Sequence, residues 1–423
     1  MQTSQATSPL HVTPGVDEAR APAESPSFRL GWSLLYASGN LGAGLTFAFA
    51  NAALPLYLAS YGLPNAAIGL LAQDRPPLAG ISQVLVGALS DRTRTRLGRR
   101  RPYLLVGVPV ASAALLLLAL RPPAWAAIAV LALMTTSLAV AYGPYLALLA
   151  DVVRSELRGR VGGLQAAANM LGQLTMLWVA AQLWTEHEPR VFATAALGLL
   201  LAFAITFFGI REPHVAEPPA RPRIAPVEYV RGILAHREVS KYLLATLFFW
   251  LGTGSVVPFL TRFGINELGT DEATAFRLLM VPIVATVVFT VPAGWLGDHL
   301  GKKPVLLAGL VLMGVVVLVG SQVRTVEQAA AVLMVTGAAN AACTVLLFPL
   351  LADLLPADRA GEFTGLGSGV WELAQPLGAV VGGLAADVTG TLRATLFLAA
   401  LLTLVSAALL APVRAGPPVR VAA

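Results

Sequence analysis

A short, strongly basic stretch lies between two apolar runs that are each long enough to cross a membrane. It extends from Gly87 to Pro102, and six arginines fall within the ten residues from Arg92 to Arg101. Cytoplasmic loops of membrane proteins carry an excess of Lys and Arg, so this density places the stretch on the cytoplasmic side. The stretch therefore predicts two bilayer-crossing helices that are joined by a short inner loop.

The composition extends this prediction to the whole chain. Of its 423 residues, 56% are hydrophobic and only 12% are charged, against about 25% charged in soluble domains. A spanning helix needs about 20 apolar residues, so the chain has room for about twelve. We predict an all-α membrane protein of twelve transmembrane helices in contact with the lipid bilayer.

The positive residues predict the topology. Of the 29 Lys and Arg residues, 22 lie in segments that we assign to the cytoplasm, including both termini. This asymmetry predicts a multi-pass protein of the plasma membrane (the inner membrane in a diderm bacterium) with both termini cytoplasmic. The net charge of +6 follows the topology and does not indicate a nucleic-acid partner.

The apolar runs define twelve predicted spans and five segments. We expect a disordered cytoplasmic tail (1–28), a six-helix bundle (29–210), a proline-rich cytoplasmic linker (211–241), a second six-helix bundle (242–413) and a short tail (414–423). Spans 1 to 6 are predicted at 30–60, 66–91, 103–120, 125–151, 161–183 and 191–210. Spans 7 to 12 are predicted at 242–262, 273–298, 305–323, 327–353, 363–387 and 392–413.

The two bundles repeat one another in sequence. The stretch from Gly294 to Pro304 echoes the basic loop, and Leu-Leu-Ala-Asp occurs both at Asp151 and, 202 residues later, at Asp353. Two unrelated motifs in nearly one register indicate duplication. The chain is thus predicted to form two parallel six-helix repeats, with a small-molecule substrate bound between them near the midplane.

The basic loop is similar to the loop 2–3 signature of the major facilitator superfamily. Within that superfamily, the run from Arg96 to Arg101 resembles the sucrose:proton symporters, relatives of the glycoside–pentoside–hexuronide:cation symporters. The run from Gly143 to Asp151 resembles a second motif of that group. The resemblance implies the major facilitator fold and transport with a coupled cation. The chain departs from the group at Thr135, where the group has its acidic coupling residue.

Polar side chains inside the apolar spans are the candidate substrate-binding residues. Amides and hydroxyls suit a hydroxyl-rich ligand, although such residues also join helices to one another. On span 5 they recur every four residues and form a stripe. The candidates are Asn40, Asn51, Thr135, Tyr142, Gln165, Asn169, Gln173, Trp250 and Gln375.

Two acidic residues are candidates for ion coupling. Glu372 lies ten residues after Glu362, about 15 Å along span 11 and near the middle of a core about 30 Å thick. A carboxyl at that depth is costly unless it has a function or a partner on a neighbouring helix. Asp74 on span 2 lies closer to the outer surface and is the next candidate.

By the same resemblance, the loop 2–3 residues should hold the cytoplasmic side closed. The predicted gate comprises Gly87, Asp91, Arg92, Arg99 and Arg100, with Asp151, Glu156 and the start of span 11 as their partners. Asp298 and Asp353 are their counterparts in the second repeat.

Other function classes receive less support. There is no phosphate-binding Gly-rich loop, no nucleophile–base constellation and no metal-ligand spacing among the five histidines, so we predict neither an enzyme nor a cofactor or metal site. The prediction is a monomeric, cation-coupled transporter of a small polar solute, a sugar or a glycoside. The alternatives are a proton-coupled efflux carrier for apolar compounds and a non-transporting receptor.

Overall fold

The structure is a computed structural model that describes residues 30–73, 86, 89–90, 93–153, 157–210, 212, 236–354 and 360–414, with backbone only at 150 and 360–368. Within these residues the regular secondary structure is helical, apart from one isolated bridge between Thr95 and Gly98. Nine of the described helices are long and apolar enough to cross a membrane.

The first half contains spans 1 to 6. One helix of 52 residues holds both span 5 and span 6. If straight it would be about 78 Å long at 1.5 Å per residue, well over twice the bilayer core. His187 has non-helical backbone angles (φ −139°, ψ 47°) and divides it into two crossings. The helices are Leu30–Ala48 and Leu54–Ala59 (span 1), Asn65–Leu71 (start of span 2), Arg101–Leu118 (span 3), Ala124–Val152 (span 4) and Arg158–Gly209 (spans 5 and 6).

The second half contains spans 7 to 12. Its first helix begins at Arg237, inside the segment that was predicted as linker. The helices are Arg237–Val256 and Leu260–Leu268 (span 7), Glu272–Leu300 (span 8), Lys302–Gly320 (span 9), Val326–Asp353 (span 10), Ala360–Thr389 (span 11) and Arg393–Leu410 (span 12).

Spans 1 and 7 are both irregular near a proline. Span 1 passes through a π-helical turn at Phe49–Ala53 just before Pro55, and span 7 passes through a 3₁₀ turn at Val257–Phe259 that contains Pro258. Proline has no backbone N–H and cannot complete the helical hydrogen-bond ladder. The two turns contact each other across the halves, so both irregular segments lie where the halves meet.

Glycines let the central spans of each half approach closely. A Cβ atom on Gly44 of span 1 would overlap the carbonyl of Asn169 on span 5. Likewise, a Cβ atom on Gly254 of span 7 would overlap the carbonyl of Gln375 on span 11. Because lipid is as apolar as the side chains, close backbone packing of this kind holds membrane helices together.

The halves also repeat individual hydrogen bonds. Tyr36 donates its hydroxyl to the carbonyl of Tyr145 at 2.8 Å, and Tyr242 donates to the carbonyl of Leu347 at 2.6 Å. Tyr145 and Leu347 are 202 residues apart, the offset that was read from the motifs. The acceptors of this hydrogen bond therefore lie at equivalent positions of the two repeats.

Candidate functional site

A cavity of about 640 Å³ lies between the two halves and is lined by both. Its lining, among the described residues, contains no charged side chain. Eight of the nine predicted substrate-binding residues line it: Asn40, Asn51, Tyr142, Gln165, Asn169, Gln173, Trp250 and Gln375. Thr135 does not. It is buried inside span 4, where its hydroxyl donates to the carbonyls of Leu131 and Ala132.

The wall formed by the first half is rich in amides. Tyr142 donates its hydroxyl to Asn40 Oδ1 at 3.0 Å, and Gln173 Nε2 donates to Asn169 Oδ1 at 2.8 Å. Asn169 Nδ2 reaches the backbone carbonyl of Asn40 only at 3.4 Å. Gln165 Nε2 donates to the hydroxyl of Tyr145 at 3.2 Å. The stripe predicted on span 5 is thus linked to span 1 by a chain of amide contacts.

Asn51 lies in the π-helical turn of span 1 and is only 4% exposed. Its Nδ2 donates to the carbonyl of Phe47 at 2.9 Å, whereas no donor reaches its Oδ1 in the described part of the chain. A buried acceptor without a donor is costly, and π turns occur frequently at functional sites. Asn51 therefore offers the cavity one unused hydrogen-bond acceptor.

Two tryptophans dominate the wall formed by the second half. The rings of Trp250 and Trp371 stack with centroids 5.3 Å apart and an interplanar angle of 29°. Trp371 Nε1 donates to Gln375 Oε1 at 2.6 Å. Trp371 was missed by the sequence analysis, although the repeat offset of 202 pairs it with Asn169 and would have identified it.

At the end of the bundle predicted to face outward, Asp387 of span 11 joins the halves. Its carboxylate accepts hydrogen bonds from the backbone N–H of Asn65 (2.8 Å), from Asn65 Nδ2 (2.8 Å) and from the backbone N–H of Ala66 (2.9 Å). Arg262 of span 7 donates to Asn65 Oδ1. A Cβ atom on Gly383 would overlap the Asn65 carbonyl. We call Asn65, Ala66, Arg262 and Asp387 the outer contact.

Spans 5 and 8 meet at the same end. Thr185 donates its hydroxyl to Glu272 Oε2 at 3.2 Å, and the rings of Trp184 and Phe276 lie 5.6 Å apart. Together with the outer contact, these residues join the two halves at the end of the bundle predicted to face outward.

At the end predicted to be cytoplasmic, the described gate residues pair inside the first half. Arg99 Nη2 donates to Asp151 Oδ1 at 2.7 Å, and Arg100 Nε lies 2.6 Å from Asp151 Oδ2. Glu212, which the sequence analysis missed, accepts from the backbone N–H of Arg100 at 3.0 Å. We call Arg99, Arg100, Asp151 and Glu212 the first inner cluster.

The other predicted gate residues are distributed differently. In the second half, Lys302 Nζ lies 2.7 Å from Asp353 Oδ2, and Asp298 is exposed on span 8. Gly87, Asp91, Arg92 and Glu156 lie outside the described residues, as do the coupling candidate Asp74, the tail 1–28 and most of the predicted linker.

Glu372, the first coupling candidate, is partly buried and is not among the residues that line the cavity. It precedes Ala379 by seven residues and Gly383 by eleven, so all three share one stripe of span 11. Ala379 and Gly383 contact Gly69 and Asn65 of span 2. Glu372 therefore lies on the stripe that faces span 2, about 100° around the helix from Trp371.

The sequence pattern of a family described as "MFS/sugar transport protein" matches residues 35–412. Two curated relatives named "Multidrug resistance protein MdtG", from Salmonella arizonae and Salmonella typhimurium, are 30% and 31% identical over 211 and 212 residues. Each match covers 48% of this chain and 49% of the relative. The chain thus spans about half the length of the curated relatives it matches.

Solved structures of transporters share the fold at low sequence identity. A D-xylose-proton symporter superposes with a TM-score of 0.71 at 16% identity, covering 93% of this chain and 99% of that one. A point mutant of the nucleoside transporter NupG gives 0.73 at 13% identity, covering 90% and 99%. A bacterial homolog of the human lysosomal transporter Spinster gives 0.71 at 14% identity, covering 90% and 95%.

Proposed function

Because the chain belongs to the MFS/sugar transport protein family, we propose that it carries a sugar or a glycoside through the membrane together with a cation. Family and fold make the chain an integral membrane transporter of the major facilitator superfamily, not an enzyme. The nature of the solute, the coupling cation and the route are the parts that we propose.

The composition of the cavity lining is the observation that supports a polar solute. Five amide side chains of the first half line it, while no charged side chain does so among the described residues. An ionised solute would lose its hydration there without gaining a countercharge, which is unfavourable. Hydroxyl groups, in contrast, can exchange hydrogen bonds with amides at little cost. These features favour a neutral, hydroxyl-rich solute.

We propose alternating access between the bundles 29–210 and 242–413, with both termini in the cytoplasm of a monomer in the plasma membrane. The outer contact supports this route, because Asn65 and Asp387 hold the two halves together at this end and would have to separate for the halves to move apart there. The predicted cytoplasmic gate around Asp91 would then close the opposite end in the alternate state.

The outer contact can be tested with a cysteine in the cavity. Thr253 lines the cavity, and the single native cysteine, Cys343, is fully buried. In Thr253→Cys, an added Asp387→Asn should raise the rate of labelling by an impermeant maleimide from outside by roughly tenfold, since charged acceptors hold donors more strongly than neutral ones. Glu267→Gln is the matched control, because Glu267 binds Arg393 within the same half at the same end. Equal labelling in the two variants would contradict the outer closure.

Coupling of transport to a proton is proposed to depend on Glu372, with Asp74 as the next candidate. Glu372 lies between the halves on the stripe of span 11 that contacts span 2, so its charge can influence how the halves meet. Glu372→Gln should abolish proton-driven accumulation in proteoliposomes and spare exchange of the solute down its own gradient. Accumulation with an unchanged pH dependence would shift the assignment to Asp74.

A second candidate function is proton-coupled efflux of apolar compounds. The similarity to two proteins named multidrug resistance protein MdtG favours it, although each match covers only about half of either chain. Span 5 carries Gly162, Gly163 and Gly172 but lacks the Gly-Pro element of the drug antiporters in this superfamily. Binding without transport would indicate a receptor instead.

Counterflow in proteoliposomes separates these functions. Vesicles are loaded with one unlabelled sugar or glycoside from a panel and diluted into a trace of the same compound in labelled form. Uptake is compared with that of vesicles loaded with an apolar dye and diluted into the same labelled dye. Transient accumulation of a sugar or glycoside supports the proposal. Counterflow of the dyes alone would replace it with efflux, and binding without counterflow by either class would leave the receptor.

A further inference from the structure

The two halves present different residues at equivalent places in the cavity wall. At the repeat offset of 202, Asn169 and Gln173 of span 5 correspond to Trp371 and Gln375 of span 11. Each pair is joined by a hydrogen bond, but its direction is reversed: Gln173 Nε2 donates to Asn169 Oδ1 at 2.8 Å, whereas Trp371 Nε1 donates to Gln375 Oε1 at 2.6 Å. All four residues line the cavity. The duplication therefore preserves the pairing of the two positions, while an amide in one wall is replaced by an indole, which can only donate, in the other.

The first wall retains unused hydrogen-bonding capacity. Asn51 Oδ1 is buried without a donor among the described residues, and the contact from Asn169 Nδ2 to the Asn40 carbonyl is long at 3.4 Å. Each amide can also both donate and accept. A ligand with several hydroxyl groups can satisfy this wall.

Three hydroxyl groups of the second wall donate their protons to backbone carbonyls, which leaves them only as acceptors. Thr253 donates to the Phe249 carbonyl at 3.1 Å, Thr286 to the Gly337 carbonyl at 3.0 Å, and Thr344 to the Asn340 carbonyl at 2.9 Å. The wall also holds the amides of Asn340, whose Nδ2 donates to Thr286 Oγ1 at 3.3 Å, and of Gln375, which accepts from Trp371. Beside the stacked tryptophans lie the aliphatic side chains of Val257, Leu260, Leu279 and Ile283. An apolar, flat group fits this surface better than a second set of hydroxyls.

The cavity is also larger than one sugar ring. A hexose occupies about 180 Å³, if it is taken as six times the roughly 30 Å³ of a water molecule, whereas the cavity measures about 640 Å³. A single ring would therefore fill less than a third of the cavity.

We propose that the solute is an uncharged amphiphile in which a hydroxylated ring binds the amides of span 5 and an apolar or aromatic group packs on Trp371. This inference rests on the proposed function and narrows its substrate class to glycosides with an apolar aglycone. Gln375 is the positioning residue that holds the indole in place through its hydrogen bond to Trp371 Nε1.

The test compares matched ligands on the purified full chain in lipid nanodiscs. Nitrophenyl and methyl glycosides of the same sugar, over a panel of common hexoses and pentoses in both anomers, are measured by equilibrium dialysis and competition. For at least one sugar, the nitrophenyl glycoside should bind about tenfold more tightly than the methyl glycoside, because an aromatic pair adds to the apolar area that is buried. Free nitrophenol should not compete at the same concentration.

Variants test which wall of the cavity binds each end of the ligand. Trp371→Leu should remove the preference for the nitrophenyl glycoside and change the affinity for the methyl glycoside by no more than about threefold. Asn169→Leu should weaken both ligands by a similar factor. Trp178→Leu, on the lipid-facing side of span 5 with 57% exposure, should change neither.

Each remaining outcome overturns a specific statement. Equal affinity for methyl and nitrophenyl glycosides, with sugar counterflow intact, overturns the amphiphile and leaves the proposed function. Nitrophenol that competes as strongly as its glycoside would contradict binding of the hydroxylated ring to the amides of span 5. Equal weakening of both ligands in Trp371→Leu would contradict packing of the apolar group on Trp371. Absence of both glycoside binding and sugar counterflow overturns the proposed function itself.

Discussion

The two copies of the inner loop each bind the aspartate of the Leu-Leu-Ala-Asp motif, in very different surroundings. In the first copy Arg99 and Arg100 lie 2.7 Å and 2.6 Å from the carboxylate of Asp151, and in the second Lys302 lies 2.7 Å from that of Asp353. The carboxylate of Asp151 is only 11% exposed, whereas that of Asp353 is 46% exposed. Exposed pairs contribute little to stability, while loss of one partner from a buried pair is costly. Duplication thus preserved the ion pairing, but we expect the two copies to contribute differently to stability.

The carboxylate of Glu212 also distinguishes the two copies. It covers the first copy from the segment after span 6 and binds the backbone N–H of Arg100. The position 202 residues later is Arg414, which cannot provide a carboxylate to the second copy. The first copy thus has an acidic neighbour that the second copy lacks.

The largest expected difference is between Asp151→Asn and Asp353→Asn. The first should lower the free energy of unfolding by roughly 3 kcal/mol, at the low end for a buried pair because Glu212 still approaches Arg99. The second should cost about 0–1 kcal/mol. Unfolding in mixed micelles, followed by tryptophan fluorescence, measures both. Equal losses would show that burial does not distinguish the two copies.

The loop glycines provide the next comparison. Gly98 and Gly301 have φ angles of 105° and 93°, which side chains other than glycine rarely adopt. Alanine should therefore cost about 1–3 kcal/mol at either site. At Gly98 the new methyl group would also displace the carboxylate of Glu212, whereas at Gly301 only Pro304 lies nearby, at 3.5 Å. Gly98→Ala should be the more destabilising variant in the same assay, and the reverse order would be inconsistent with the role of Glu212.

Glu212→Gln isolates the charge of that carboxylate. The amide oxygen can still accept from Arg100, so the expected loss is about 1 kcal/mol, the difference between charged and neutral hydrogen bonds. Glu238→Gln is the control, since the side chain of Glu238 is partly exposed and pairs with Lys241 at the surface. If Glu238→Gln lowered the free energy of unfolding as much as Glu212→Gln, Glu212 would contribute no more to stability than a surface carboxylate does.

Salt should produce the smallest effect. Between about 0.1 M and 1 M ionic strength the screening length falls from roughly 10 Å to 3 Å, which weakens exposed pairs far more than buried ones. The stability difference between wild type and Asp353→Asn should disappear at high salt, and that for Asp151→Asn should persist. Repeating the unfolding measurements at both salt concentrations checks this, and a matching decline in the two differences would argue that Asp151 is also solvated.

Several features were determined by the sequence alone. The apolar runs, the basic loop and the offset of 202 predicted the all-helical membrane fold with two six-helix repeats, and the family match and solved structures confirm it. Spacings of four residues predicted the amide stripe of span 5, because one helical face repeats at nearly that interval. These features depend on local composition and periodicity, which a linear sequence displays directly. The domain bounds, the topology and the roles of the site residues stay predictions.

Other features were decided only by the tertiary structure. Asn65 and Asp387 are 322 residues apart, and Arg100 and Glu212 are 112 residues apart, so no local pattern links the members of either pair. The placement of Glu372 also depended on packing. Depth along span 11 followed from residue counting, but rotation about the helix axis depends on which neighbours the glycines allow to approach. Successive residues of a helix differ by about 100° in direction. The contacts of span 11 with spans 2 and 7 determined that Trp371 lines the cavity, while Glu372 lies on the stripe that faces span 2.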